Sequence, residues 1–149
     1  YLGDLSAWYE KNVGADFISC RSQLARLLQE ENQLMEIVKL IGADVLPDDQ
    51  KLVIEIARVI RVGFLQQNAY HKDDTYVPLE KQLKMMRVIL HLYQTAQTLV
   101  ARSIPLSQIT ATGLFDEMVR IKYDVPNDQT ELLDGYIQKI DDTLRKLDK

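Results

Sequence analysis

Apolar residues recur along this chain at spacings of mainly three and four, with polar residues between them, and nowhere in sustained alternation. That period gathers them on one face of an α-helix rather than on one face of a strand. A short helix is expected over residues 4–13, with Leu5, Trp8 and Tyr9 on one side and Gly14 as its stop. From residue 15, the positions Phe17, Cys20, Leu24, Leu27, Leu28, Met35, Val38 and Ile41 form the stripe of a second helix. Gly42 stands where a C-terminal cap belongs. Pro47 opens a third helix, and Asp48 and Asp49 suit the positive end of its dipole. Its buried stripe is Leu52, Ile56, Val59, Ile60 and Phe64. The β-branched content there would also suit a strand, but length and spacing favour helix.

Residues 66–77 carry no apolar period and read as a loop. Pro78 opens what is expected to be the longest helix, running to about Arg102. It has two stripes, one of Leu79, Leu83, Met86, Leu90, Tyr93 and Val100, the other of Met85, Ile89, Leu92, Ala96 and Leu99. An apolar surface that wide needs neighbours on two sides, so this helix should be central. Pro105 starts a short helical piece and Gly113 breaks it. Phe115, Met118, Val119 and Ile121 carry the next piece, and Pro126 ends it. Asp128 and Glu131 have capping-box spacing. The last helix should bury Leu133, Tyr136, Ile137, Ile140, Leu144 and Leu147. It should expose Asp141, Asp142, Arg145, Lys146 and Lys149. The expected fold is an all-α bundle of about six helices, one helical domain over residues 1–149.

Composition narrows the function without naming one. The chain has 149 residues, and its 18 Lys and Arg against 22 Asp and Glu leave a net charge of −4. An acidic balance argues against bulk binding to nucleic acid or to anionic lipid. No apolar run approaches the ~20 residues that span a bilayer. The first thirty residues contain Asp4, Glu10 and Asp16 and no apolar block, so no signal peptide is expected. A single cysteine, Cys20, allows neither an internal disulfide nor a cysteine-based zinc site, and as part of an apolar face it reads as a small buried hydrophobe. Neither phosphate-binding glycine pattern is present. The residues three before His71 and His91 are Asn68 and Val88, so the Glu-x-x-His motif of di-iron bundles fails at both. His91 lies between Leu90 and Leu92 in mid-helix and reads as a partly exposed or hydrogen-bonded bundle histidine.

One segment stands apart. Residues 64–78 read Phe-Leu-Gln-Gln-Asn-Ala-Tyr-His-Lys-Asp-Asp-Thr-Tyr-Val-Pro, with consecutive carboxamides, rings able to stack and a proline at the exit. It can be an ordinary polar connection, with Asn68 closing one helix and Thr75 or Asp74 supporting the start of the next. It can also be a recognition loop, since carboxamides both donate to and accept from a heterocycle edge while a ring stacks on its face.

This run, with Asp74-Thr-Tyr and Pro78-Leu-Glu-Lys-Gln after it, resembles the catalytic A subunit of A-type and V-type rotary ATPases. Asp4-Leu-Ser-Ala-Trp-Tyr and Leu27-Leu-Gln-Glu-Glu-Asn-Gln-Leu-Met-Glu-Ile-Val do so too. The resemblance extends in several blocks to about Pro126, and the last helix matches only in general character. It implies the C-terminal helical domain of such a protein, with Tyr1 falling inside a larger chain whose preceding α/β domain carries the P-loop, the catalytic carboxylate and the Mg²⁺ site. It also implies that Gln67, Asn68, Ala69 and Tyr70 lie on the adenine side of bound ATP or ADP. No catalytic and no metal-binding residue is expected in this stretch, and no tight nucleotide binding by it alone. Val77 stands where the family often has cysteine, which argues against an essential thiol there. The implied partners are the B subunits of the catalytic hexamer and the subunits of the central rotor stalk. The implied setting is the cytoplasmic, peripheral part of a membrane complex. The alternative from another class is a free-standing helical adaptor that holds a partner helix in a groove.

Overall fold

The computed structural model of the chain describes residues 14–65 and 79–148. Among these residues there are no strands. The order is α1 (Gly14–Ile41), a 3₁₀ turn (Ala43–Val45), α2 (Asp48–Arg58), a π-helical segment (Val59–Leu65), α3 (Leu79–Ala101), α4 (Leu106–Thr110), α5 (Leu114–Asp124) and α6 (Leu132–Arg145). The all-α expectation holds. The helix expected over residues 4–13 and the loop expected over 66–77 lie outside the described residues.

α3 is the axis of the bundle, in contact with every other α-helix and with the π segment. Both of its predicted stripes are used. Leu83, Met86 and Leu90 are buried on one, and Met85, Ile89, Leu92, Ala96 and Leu99 on the other. It is not the longest helix, since α1 has 28 residues and α3 has 23. α3 ends in a Schellman cap: Ile104 N donates to Leu99 O and Ser103 N to Val100 O, both at 3.0 Å, with Ser103 at φ 69°.

α1 follows its predicted stripe only part of the way. Cys20, Leu24 and Leu27 are buried, but the stripe continues through Glu31 and Leu34 rather than through Met35 and Ile41, which are exposed. The three/four spacing runs unbroken over 20, 24, 27, 31, 34 and 38, and a charged residue at 31 hides that register. Glu31 is buried because it is paired. Arg61 donates to its carboxylate through Nε at 3.0 Å and through Nη2 at 2.5 Å. Gly42 ends α1 as expected, its N–H donating to Val38 O at 2.8 Å. Its φ of 88° and ψ of 157° lie in a region essentially confined to glycine, and not in a left-handed cap.

Pro47 occupies the N-cap of α2. Asp48 does more than complement its own helix, because its Oδ2 accepts the Leu106 N–H at 2.9 Å and so caps α4 as well. Leu52, Ile56, Val59 and Ile60 are fully buried as expected, and Phe64 is half-buried.

α6 runs parallel to α3. Lys84 pairs with Asp134 at 3.2 Å, His91 with Asp141 at 2.7 Å and Arg102 with Asp148 at 2.6 Å. The capping box expected from Asp128 and Glu131 does not form. Glu131 is itself the N-cap, in helical conformation and without a side-chain cap bond. Backbone turns take its place: Leu132 N donates to Gln129 O and Leu133 N to Thr130 O, so the first N–H groups already have partners. Asp141, expected on the solvated face, instead faces His91 at the α3–α6 seam and is half-buried.

Candidate functional site

Gln67, Asn68, Ala69 and Tyr70 lie outside the described residues, and so does the rest of 66–78. What the structure shows is the frame from which that segment leaves and to which it returns, and both sides of the frame are fastened to α5.

The entry side is the π segment. A π turn widens the helix by one residue per turn, and such turns concentrate at functional sites. Here it brings Gly63 directly against α5. A Cβ on Gly63 would sit 2.9 Å from Val119 Cα and 3.0 Å from Met118 O, so only a glycine permits this approach. One residue later the Phe64 carbonyl accepts from Lys122 Nζ at 3.4 Å.

The exit side is the first turn of α3, where Lys81 is completely buried. Its ammonium donates to Lys122 O at 2.7 Å, Val125 O at 2.6 Å and Asn127 Oδ1 at 2.7 Å. A cation in the first turn of a helix opposes that helix's own dipole. The C-terminal end of α5 supplies what offsets this, namely backbone carbonyls without intrahelical partners and the negative end of a second dipole. Lys122 is likewise buried, its ammonium 5.9 Å from the centre of the Tyr123 ring. The two lysines interlock: one holds the carbonyl of the other, which in turn holds the chain entering 66–78.

Sequence reasoning missed both lysines. Lys81 had a visible signal, since it is in register with Met85, Val88, Leu92, Ala96 and Leu99 and so extends an apolar stripe by one charged position. The described contacts of both ammonium groups point into the protein, which suits them to holding backbone rather than phosphate.

Elsewhere the chemistry is modest. Cys20 is buried as expected, and burial pushes its thiol up, with Arg87 opposing and Asp16 adding to the rise. Burial also raises the Tyr93 and Tyr136 hydroxyls, reinforced by Glu30 and Asp49 at the first and by Glu117 and Asp124 at the second. His91 is the hydrogen-bonded bundle histidine expected of it. Among the described residues no group of three His, Cys, Asp or Glu side chains could hold a metal ion, and no helix is long and apolar enough to cross a membrane.

The α1–α2 turn lies at the opposite end of α2 from the π segment. Ile37, Leu40, Ile41 and Val45 are exposed there, Leu40 to 84%, while Leu46 anchors the turn in the core. A cleft of about 540 Å³ adjoins the turn, lined by Asp44, Asp48, Lys51, Glu55, Ser107 and Thr110 among others.

Residues 6–110 match the family described as the C-terminal domain of V and A type ATP synthase. The chain belongs to this family. Individual relatives agree. The V-type ATP synthase alpha chain 2 of Clostridium tetani is 44% identical over 149 aligned residues, which cover 95% of this chain and 25% of that protein. The V-type ATP synthase alpha chain of Halothermothrix orenii is 42% identical over 99% of this chain and 25% of its own. The V-type ATP synthase alpha chain of Clostridioides difficile is 37% identical over 100% of this chain and 25% of its own. The chain thus spans about a quarter of the length of these relatives. The family match includes the whole of 66–78 and both sides of its frame through α3, whereas α5 and α6 lie beyond it.

Proposed function

We propose that this V/A-type C-terminal domain closes the adenine side of the nucleotide site in the catalytic subunit of a rotary ATP synthase and passes the movement of that site to the central stalk. Gln67, Asn68, Ala69 and Tyr70 form the adenine-side segment. Tyr70 stacks on the base, and the carboxamides of Gln67 and Asn68 meet its edge. The triphosphate and its Mg²⁺ are held by the parent chain's α/β domain, which also performs hydrolysis or synthesis coupled to ion transport. The B subunits of the hexamer and the rotor stalk are its partners, and the complex is cytoplasmic and peripheral to the membrane.

The observation that carries this reading is the frame. Gly63, Phe64 and Lys81 fasten both sides of 66–78 to α5. A segment that must present ring and amide groups at fixed positions needs such a base, because an unanchored one spends its binding energy on ordering itself. The relay has a rigid path. The 11 residues of α2 and the 7 of the π segment join the frame to the α1–α2 turn, a rod of roughly 25 Å at the helical rise per residue. The exposed Leu40, Ile41 and Val45 at its far end suit contact with another protein.

The test is nucleotide affinity in the full-length catalytic chain. Tyr70→Ala should weaken ATP binding by about 1–3 kcal/mol through lost stacking. Tyr70→Phe should bind almost as the parent does, since the ring survives. If Tyr70→Ala lowers the melting temperature and leaves affinity unchanged, the segment is a structural connection and the adenine assignment is wrong.

A further inference from the structure

We infer that Asp48 is a positioning residue for the α1–α2 turn: its carboxylate ties that turn to α4 and, through α4, to the C-terminal end of the central helix α3. The inference rests on the reading that the exposed apolar side chains of this turn pass movement to the central stalk, and it names the residue that holds them in place.

The turn is carried by α1 and α2. Leu40, Ile41 and Val45 stand exposed on it, and Leu46 seats it in the core. Beside it lies the cleft of about 540 Å³, with Asp44, Lys51 and Glu55 on the side of the turn and α2, and Ser107 and Thr110 on the side of α4. Packing between the turn and α4 is therefore incomplete. Asp48 crosses the gap. Its Oδ2 accepts the Leu106 N–H at 2.9 Å, and among the described residues no other side-chain hydrogen bond joins the two sides of the cleft. Asp48 stands in the first turn of α2, where its charge suits the dipole of its own helix, while its oxygen serves another helix. α4 has only five residues, too few to be stable alone. Buried Leu106 and Ile109 seat it, and the cap of α3 leads into it, with Ile104 N donating to Leu99 O at 3.0 Å. Pro105 then fixes the backbone between that cap and Leu106. A turn held by its two helices alone can still swing toward or away from α4 across an open cleft. The Asp48 bond sets that separation, because a charge-assisted hydrogen bond is directional where apolar contact is not.

The experiment uses the whole ATPase complex reconstituted into vesicles. The membrane potential built per ATP hydrolysed, read with a potential-sensitive dye, reports the relay whichever ion is moved. Removing a hydrogen bond of this kind shifts the balance between a held and a swinging turn by roughly three- to tenfold. In Asp48→Ala the potential per ATP should therefore fall about twofold or more. Asp48→Asn keeps a side-chain oxygen in the same place and should stay close to the parent. Leu133→Ala lies on α6 beside Asp134, which pairs with Lys84 at the other end of α3. It is destabilised for packing reasons alone, and its potential per ATP should match the parent. If Asp48→Ala does not assemble, Asp48→Ser carries the test, since its side chain is too short to keep the bond, and the fall should have the same direction. A variant with both Leu40→Ala and Ile41→Ala is measured alongside. A reduced value in that variant with the parent value in Asp48→Ala overturns the positioning role and leaves the relay reading intact. Equal falls in Asp48→Ala and Asp48→Asn also overturn it, because the second keeps the acceptor. The parent value in the Leu40 and Ile41 variant removes the relay reading, and this inference falls with it.

Discussion

Gly63 in the π segment lies so close to α5 that an added Cβ would stand 2.9 Å from the Val119 Cα and 3.2 Å from the Val119 carbonyl oxygen. Backbone atoms of a packed helix cannot yield as the tip of a flexible side chain can. Gly63→Ala should therefore destabilise the domain by about 1–3 kcal/mol, as other overpacked interiors do, even though alanine is the better helix former. Gly135, whose added Cβ would meet nothing within 4 Å, is the control, and Gly135→Ala in α6 should be stabilising or neutral. Thermal unfolding of the two variants should move in opposite directions or at least differ in this order.

The Glu31–Arg61 pair predicts an asymmetry between its partners. The Glu31 side chain is only 7% exposed and that of Arg61 is 50% exposed. Removing the arginine leaves a carboxylate in a poorly hydrated place, whereas removing the carboxylate leaves a guanidinium that water can reach. Arg61→Ala should cost about 2–3 kcal/mol and Glu31→Gln about 1 kcal/mol. A double-mutant cycle by denaturant unfolding checks this, and equal costs would show that the burial of Glu31 does not govern the pair.

Alkaline stability should depend on two tyrosines. Burial is the main cause of the raised hydroxyls at Tyr93 and Tyr136. The folded state therefore keeps its phenolic protons at a pH where the unfolded chain has begun to lose them. This contribution is fully present below the ordinary tyrosine value of about 10 and is lost as the pH rises through the higher folded values. Stability should fall above about pH 10, and in Tyr93→Phe/Tyr136→Phe the fall should be shallower. Melting temperatures from pH 8 to 11 on both proteins provide the comparison, with identical slopes counting against the effect.

The core is continuous from α1 to α6, and residues 1–149 should fold alone as a cooperative helical bundle. Leu90 is buried on the central helix, and Leu90→Ala should cost about 2–5 kcal/mol through lost transfer energy and the cavity left behind. Circular dichroism and thermal unfolding measure both points. Mostly coil, or a variant as stable as its parent, would contradict them.

Much of the bundle was legible because helical periodicity and the punctuation at Gly42, Pro47, Pro105, Gly113 and Pro126 report on local structure. Its failures share a cause. Glu31 and Lys81 sit in the apolar register but are charged, so a hydrophobic stripe cannot reveal them. Their burial depends on Arg61, thirty residues away, and on carbonyls of α5 more than forty residues away. Asp141 looked solvated because its partner His91 belongs to another helix. The π turn has no signature in a three/four pattern, and the close approach of Gly63 to α5 that goes with it joins residues far apart in the chain. The proposed adenine-side residues rest on resemblance alone, because carboxamides and a ring in a polar run fit a plain connection equally well.

Photoaffinity labelling of the intact catalytic chain with an azido-adenine analogue of ATP places the base most directly. The azide sits on the ring, so the label attaches to whatever lines it, and peptide mapping then names the residue. An adenine-side role for this segment predicts label on residues 67–70, centred on Tyr70 and suppressed by excess MgATP. Label confined to residues outside 66–78, and equally suppressed by MgATP, would contradict it.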